Sequence, residues 1–176
     1  LIGRIQLLAA RPSFADSENF YDRSVENPVV ISLNRFIEQN EAMAAAVLVD
    51  EEGQPLVANH YDHQGAEIGY EAFLDEFSYD QAAWLGRLTD QASRKEIARR
   101  GGALVLPLAL APGLEKLIPA DQSVITVVVP IHNAYGGLAG ALVAYISDRV
   151  VTTPLEAVSG WFAENGIGQS RIVLMQ

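Results

Sequence analysis

SVITVVVPIHNAYGGLAGALVAYIS, residues 123–147, is the stretch on which the reading of the whole chain turns. Two apolar runs, each about a strand long, flank a turn that carries Gly136 and Gly137, and Pro130 stands where the first run ends. Val, Ile and Thr fit a pleated, half-buried surface, and a Gly-Gly reversal with a proline at a strand end completes the signal of a β-hairpin. The composition leaves no room for a nucleophile, a metal cage or a phosphate loop. What it offers is a floor against which something else binds, which points to a binding module rather than an enzyme.

The alternation of residues gives that floor two sides. With Ile131 set opposite Leu138, antiparallel pairing puts Thr126 across from Val143 and Val124 across from Tyr145. The hydroxyls of Thr126 and Tyr145 then share one face with Val128 and Ala141, while Ile125, Val127, Val129, Leu142 and Ala144 make the other. The uniformly apolar face is expected to receive an N-terminal helix, and the mixed face to look into a ligand cavity. A slip by one residue would exchange the two.

Working outward, the chain has 176 residues, 49% of them hydrophobic, enough for one well-cored domain of ordinary size. A net charge of −10 argues against nucleic acid or an anionic membrane surface as partner, since both recruit basic patches. The absence of cysteine excludes disulfide frameworks, thiolate metal sites and thiol catalysis. Leu1 in first position, with neither a signal peptide nor an apolar run of membrane-spanning length, reads as a piece cut from a longer chain, and leaves membrane anchoring of the parent open.

Most of the acidic residues fall in positions 1–100, and from Gly101 onward Val, Leu, Ala and Ile dominate. The first part therefore reads as solvated helix and the second as buried sheet. Ile2, Ile5, Leu8 and Ala9 keep a helical spacing that Pro12 interrupts. A second helix follows Asn27-Pro28, with Val29, Leu33, Phe36 and Ile37 on one stripe and an end near Asn40. Residues 43–60, MAAAVLVDEEGQPLVANH, predict another hairpin about an acidic turn at Gly53. Ile68 to Phe77 and Tyr79 to Arg100 carry helical patterns, the latter closing on Arg99-Arg100 before Gly101-Gly102. Ala103 to Leu110 is a fifth strand candidate. Helix, two strands, a helical insertion and three strands make an α+β layout with an antiparallel sheet.

Three features together, the amphipathic helix, the Val47-Leu48-Val49-Asp50-Glu51-Glu52-Gly53-Gln54-Pro55-Leu56-Val57 hairpin and the Val127 to Leu142 hairpin with its Pro-Ile and glycines, resemble the Cache, or extracellular PAS-like, sensor family across roughly residues 20–150. The resemblance implies a PAS-like antiparallel five-stranded sheet, a long N-terminal helix and a helical insertion between the second and third strands. It also implies the periplasmic sensor domain of a transmembrane histidine kinase, chemoreceptor or cyclic-dinucleotide enzyme, working as a homodimer. The tyrosine–arginine–tryptophan–tyrosine–aspartate pattern of the members that bind amino acids is not found, so an amino-acid ligand is not expected. A cytoplasmic GAF-like regulatory domain, which shares the Pro-Ile strand and following glycine, is the alternative, and an unrecognised enzyme the next.

Three segments result: a helical one at 1–41, the sensor module at 42–153, and a helix with a strand at 154–176. The last echoes an earlier part of the chain, since Trp161-Phe162-Ala163-Glu164-Asn165 and Ile172-Val173-Leu174 repeat the spacing of Phe36-Ile37-Glu38-Gln39-Asn40 and Val47-Leu48-Val49. It begins a second module or adds an edge strand to the first.

Several motifs invite chemistry and do not sustain it. His60-Tyr61-Asp62-His63 holds three metal-ligand types, yet the spacing matches no pair on a helix face and the segment reads as a solvated polar loop. No Gly-x-Ser-x-Gly elbow accompanies the Ser, His and Asp residues. Asp50-Glu51-Glu52-Gly53 lacks the alternating ligands of a calcium loop. Gly136, Gly137 and Gly140 are wrongly framed for a dinucleotide. Arg94, Lys95, Arg99 and Arg100 suit a helix C-terminus as it stands. No metal, cofactor or catalytic residue is called for. The aromatic insertion is different: Tyr70, Tyr79 and Trp84, with Phe73 and Phe77, are expected to wall a pocket over Thr126 and Tyr145. There Arg87, one turn after Trp84, would pair with a carboxylate of a small organic ligand.

Overall fold

The computed structural model describes residues 1–99 and 101–148. Three short helices and a 3-10 turn open the chain: α1 (Ile2–Ala9), α2 (Pro12–Ala15), the turn at Ser17–Phe20, and α3 (Pro28–Glu38). The N-terminal helical segment is thus divided, and its prolines do the dividing. A residue before proline is pushed out of the helical region, and Arg11 is extended at φ −67°, ψ 141°. Asn27 precedes Pro28 and caps α3, its side-chain oxygen accepting the N–H of Val29 at 2.8 Å. Asn27 is fully buried, and its amide donates to the carbonyls of Asn19, at 2.7 Å, and Asp22.

The first hairpin is formed by β1 (Met43–Val49) and β2 (Pro55–Ala58). Asp50 holds its turn by accepting from the N–H groups of Glu52 at 3.0 Å and Gln54 at 2.8 Å. The insertion comprises α4 (Tyr70–Glu76), α5 (Ala83–Thr89) and α6 (Gln91–Arg99). The single helix expected over Tyr79 to Arg100 is broken at Asp90, which is extended and accepts from the N–H of Ser93 at 2.7 Å. Short polar side chains compete for backbone donors in this way, and so start a new helix where one would otherwise continue. Two short strands follow, β3 (Leu104–Val105) and β4 (Ala109–Leu110), and then the long pair β5 (Ser123–His132) and β6 (Leu138–Ser147).

All strands join one antiparallel sheet in the order β2-β1-β6-β5-β3, with β4 also paired to β5. The fold is the α+β, PAS-like arrangement read from the sequence. Its fifth position is shared by β3 and β4, because Pro107 has no N–H for the ladder and splits the expected strand. The β5–β6 register differs by two residues from the sequence reading: Thr126 pairs with Tyr145 and Val128 with Val143. A shift between Ile131 and His132 absorbs one extra residue, Ala139, beside the turn. An even offset keeps every side chain on its face, so the two-sided reading survives the change. Gly140 sits in this irregularity, where a β-carbon would run into the carbonyl oxygen of Val49 on β1.

One apolar cluster packs α1, α2 and α3 on the sheet, joining Ile5, Phe14, Val29, Leu33 and Ile37 to Val127, Val129, Leu142 and Ala144. A second, on the opposite face, joins Phe73, Tyr79, Trp84, Leu88 and Leu114 to Val47, Val128, Val143 and Tyr145. The repeat read at residues 154–176, and Arg100, lie outside the described residues.

Candidate functional site

The site grows out of the Thr126–Tyr145 cross-strand pair. Opposed residues of an antiparallel pair lie on one face, which aims both hydroxyl-bearing side chains away from the N-terminal helices. Above them the insertion descends as a series of rings. Phe73 stacks on Phe77 at 4.9 Å, Phe77 meets Tyr79 edge-on at 4.8 Å, and Tyr79 lies 5.5 Å from Trp84. Such offset and edge contacts suit the ring quadrupoles.

The β1–β2 turn anchors this series. The N–H of Tyr79 donates to the carbonyl of Gly53 at 2.7 Å. Gly53 has a φ of +90°, and a β-carbon there would meet the Tyr79 carbonyl carbon and a Leu85 methyl at 2.9 Å. Only glycine allows the insertion to close so tightly on the turn.

Tyr79 then reaches the sheet, its hydroxyl 2.6 Å from that of Tyr145. Both residues are buried, and burial raises both pKa values above the ordinary tyrosine range; for Tyr79 the neighbouring Tyr145 adds to the effect. The two phenols are therefore neutral at physiological pH.

Beside the tyrosines lies a cavity of about 350 Å³, a volume suited to a small organic molecule. Tyr79, Trp84, Thr126 and Tyr145 line it, with Phe77 and the Leu106–Leu114 segment on the remaining side, where Ala109, Leu110 and Pro112 are exposed and the cavity opens to solvent. Four of the six residues singled out from the sequence therefore come together.

Arg87 and Tyr70 do not join them. On α5, Trp84 and Leu88 take the inward positions one turn apart, and Arg87 stays exposed, where its guanidinium keeps its water. No ligand carboxylate in the cavity would meet it. Tyr70, at the start of α4, stacks on the His60 ring at 3.6 Å and 9°, and its hydroxyl donates to Glu71 at 3.3 Å.

His60 corrects the sequence reading, which left residues 60–63 as a solvated loop. Its exposure is 2%, because Tyr70 covers its ring and the side-chain oxygen of Asn34 on α3 accepts its backbone N–H at 2.7 Å. Nε2 of His60 is buried without a hydrogen-bond partner among the described residues. Burial lowers the pKa of this imidazole, while Glu67 and Glu71 pull the other way. Among the described residues no three His, Cys, Asp or Glu side chains converge where they could hold a metal ion.

The segment from Pro107 to Pro112 was not anticipated as a cavity wall. Two prolines in an apolar run were the available signal, since such a run cannot serve as a continuous interior strand.

A second cavity, of about 520 Å³, opens at the far end of β1. It is rimmed by Glu41, Asp62, Glu67, Glu115 and Lys116 and contains none of the six residues. Asp62 is engaged in its own turn, accepting from Gln64 and Ala66, and Lys116 is paired with Glu76.

No family model and no curated protein matches the sequence. Solved structures do match. The extracellular domain of a protein assigned as a histidine kinase aligns with a TM-score of 0.61 at 13% identity, over 90% of this chain and 51% of its own. A domain of a sensory box/GGDEF family protein from Vibrio parahaemolyticus aligns with a TM-score of 0.61 at 14% identity, over 87% and 54%. The sensory domain of a Campylobacter jejuni chemoreceptor, crystallised with isoleucine bound, gives 0.53 at 16%, over 83% and 50%. The chain spans about half the length of these structures.

The architecture is therefore the PAS-like α+β fold that these structures share. Among the described residues no helix is long and apolar enough to cross a membrane.

Proposed function

We propose that this chain is the extracellular or periplasmic ligand-binding part of a membrane-anchored signalling receptor: a histidine kinase, a chemoreceptor or a cyclic-dinucleotide enzyme. Its ligand is a small organic molecule held in the cavity between the Thr126–Tyr145 face of the sheet and the aromatic insertion. The observation that carries this reading is the 350 Å³ cavity on the face of the sheet opposite the N-terminal helices. The sensory fold of the solved structures supports it.

The domain performs no reaction. It converts occupancy into a preference between two arrangements of the N-terminal helices, within a homodimer of the full receptor. The shift equals the ligand's difference in affinity for the two arrangements. Asn34 of α3 gives this coupling a route, because it holds the backbone of His60 at the entrance to the insertion.

The test is a thermal-shift screen of organic acids, amines, amino acids, nucleobases and neutral ring compounds, since a ligand selective for the folded state raises the melting temperature by mass action. The expected result is a hit whose shift falls in Tyr145→Phe and in Thr126→Val. A hit indifferent to both variants would remove the cavity from the account.

A further inference from the structure

The cavity has a chemical bias that narrows what it takes. Every side chain lining it is uncharged. Its polar groups are the Tyr79 and Tyr145 phenols, the Thr126 hydroxyl and the Trp84 indole, set among apolar walls such as Leu106 and Leu114. Arg87, three residues after Trp84, stays in solvent, and Lys116, two residues after Leu114, is paired with Glu76.

A carboxylate or ammonium moved against the tyrosine pair loses part of its hydration and gains no opposite charge, a cost that ordinary hydrogen bonds do not return. Charge reaches the site from neither tyrosine, since burial keeps both phenols protonated. The protein's own net charge of −10 further disfavours anions.

The tyrosine pair also carries a donor to spare. Two hydroxyls bring two hydrogens to one mutual hydrogen bond at 2.6 Å, so whichever oxygen accepts keeps its own hydrogen. Among the described residues that hydrogen has no acceptor, although Tyr79 and Tyr145 are only 5% and 3% exposed. A buried donor left unmatched is a standing cost that a ligand acceptor would relieve.

The geometry points to an uncharged, ring-bearing ligand that presents a hydrogen-bond acceptor, a carbonyl oxygen or a ring nitrogen, to the Tyr79–Tyr145 pair. The ring lies against Trp84 and Phe77, and the Thr126 hydroxyl contacts the same polar edge. This inference rests on the sensor reading of the cavity and deepens it. It excludes free amino acids and organic acids as the ligands of this site.

Isothermal titration of the whole chain with five matched probes tests it: acetophenone, toluene, benzoate, phenethylammonium and L-phenylalanine. Acetophenone is expected to bind at least tenfold more tightly than each of the three charged probes. Tyr145→Phe, which keeps the ring, is expected to weaken acetophenone several-fold and leave toluene unchanged. Thr126→Val should weaken acetophenone less.

Benzoate, phenethylammonium or phenylalanine binding as tightly as acetophenone, and weakened by the same substitutions, would overturn the neutral class while leaving the cavity as the site. Failure of acetophenone to bind at millimolar concentration would overturn it as well. Binding of acetophenone that neither substitution alters would instead overturn the cavity as the site.

Discussion

The two faces of the central sheet are made from alternate residues of the same two strands, yet they are built for different ends. On the helix face, Val127, Val129, Leu142 and Ala144 meet Val29, Leu33 and Ile37 in one apolar cluster. On the other, Thr126 and Tyr145 bring hydroxyls to a cavity roofed by the rings of the insertion. The period of two in a strand lets one hairpin serve as a structural floor on one side and a cavity wall on the other. The helix face is filled by packing, whereas on the other face packing is left incomplete at the cavity where binding is proposed.

The comparison breaks most readily at Leu142. It is fully buried on the helix face, so Leu142→Ala is expected to cost about 2–5 kcal/mol in urea unfolding, through lost burial and a residual void. Thr126→Ala, at a half-buried position of the cavity face, should cost less than about 1 kcal/mol. Equal costs would mean that the faces do not differ as described.

Gly140 comes next, at the seam between β6 and β1. Gly140→Ala drives a β-carbon into the Val49 carbonyl and should lower stability by about 1–3 kcal/mol, read as a lowered thermal midpoint. A midpoint equal to that of the unaltered protein would place the two strands further apart.

The hydroxyl pair sharpens the contrast. Tyr79→Phe or Tyr145→Phe leaves one buried phenol without its partner, at an expected cost of about 1–3 kcal/mol each. Because the double variant removes both groups, it should cost less than the sum of the single variants. Strict additivity would show that the pair does not interact.

The smallest effect is one of pH. Burial lowers the His60 pKa in the folded protein below its ordinary value of 6.5, so the unfolded chain takes up the proton first as pH falls. The stabilisation is fully present above about pH 6.5 and is lost as pH drops through the window between that value and the folded one. Melting curves from pH 7.5 to 5.5 should decline more steeply for the unaltered protein than for His60→Gln. Parallel curves would put the imidazole in solvent.

Much of this was legible in the chain because it rests on local chemistry. The Ser123–Ser147 hairpin, the turn at Gly53 and the stripe on α3 follow from side-chain period and turn residues, and the assignment of faces tolerated a register error because that error was even. What the sequence hid depended on contacts between distant segments. Nothing near His60 announces that Asn34 and Tyr70 would bury it. Arg87 lies close to Trp84 in sequence and was drawn into the pocket on that ground, but a helix of seven residues turns it outward. Tyr79 and Tyr145, far apart in sequence, were each identifiable as wall residues. Their mutual hydrogen bond, on which the proposed ligand chemistry rests, was not.

The most direct test is an amide and indole resonance map recorded while acetophenone is titrated into the protein. Trp84 borders the cavity, whereas Leu33 and Val129 belong to the opposite cluster. The account predicts that the Trp84 indole and the amides of Thr126 and Tyr145 shift first and saturate together, with smaller changes passing to α3 through Asn34. Saturable shifts confined to the acidic cavity at Glu41 and Glu67, with Trp84 and Tyr145 unmoved, would contradict it.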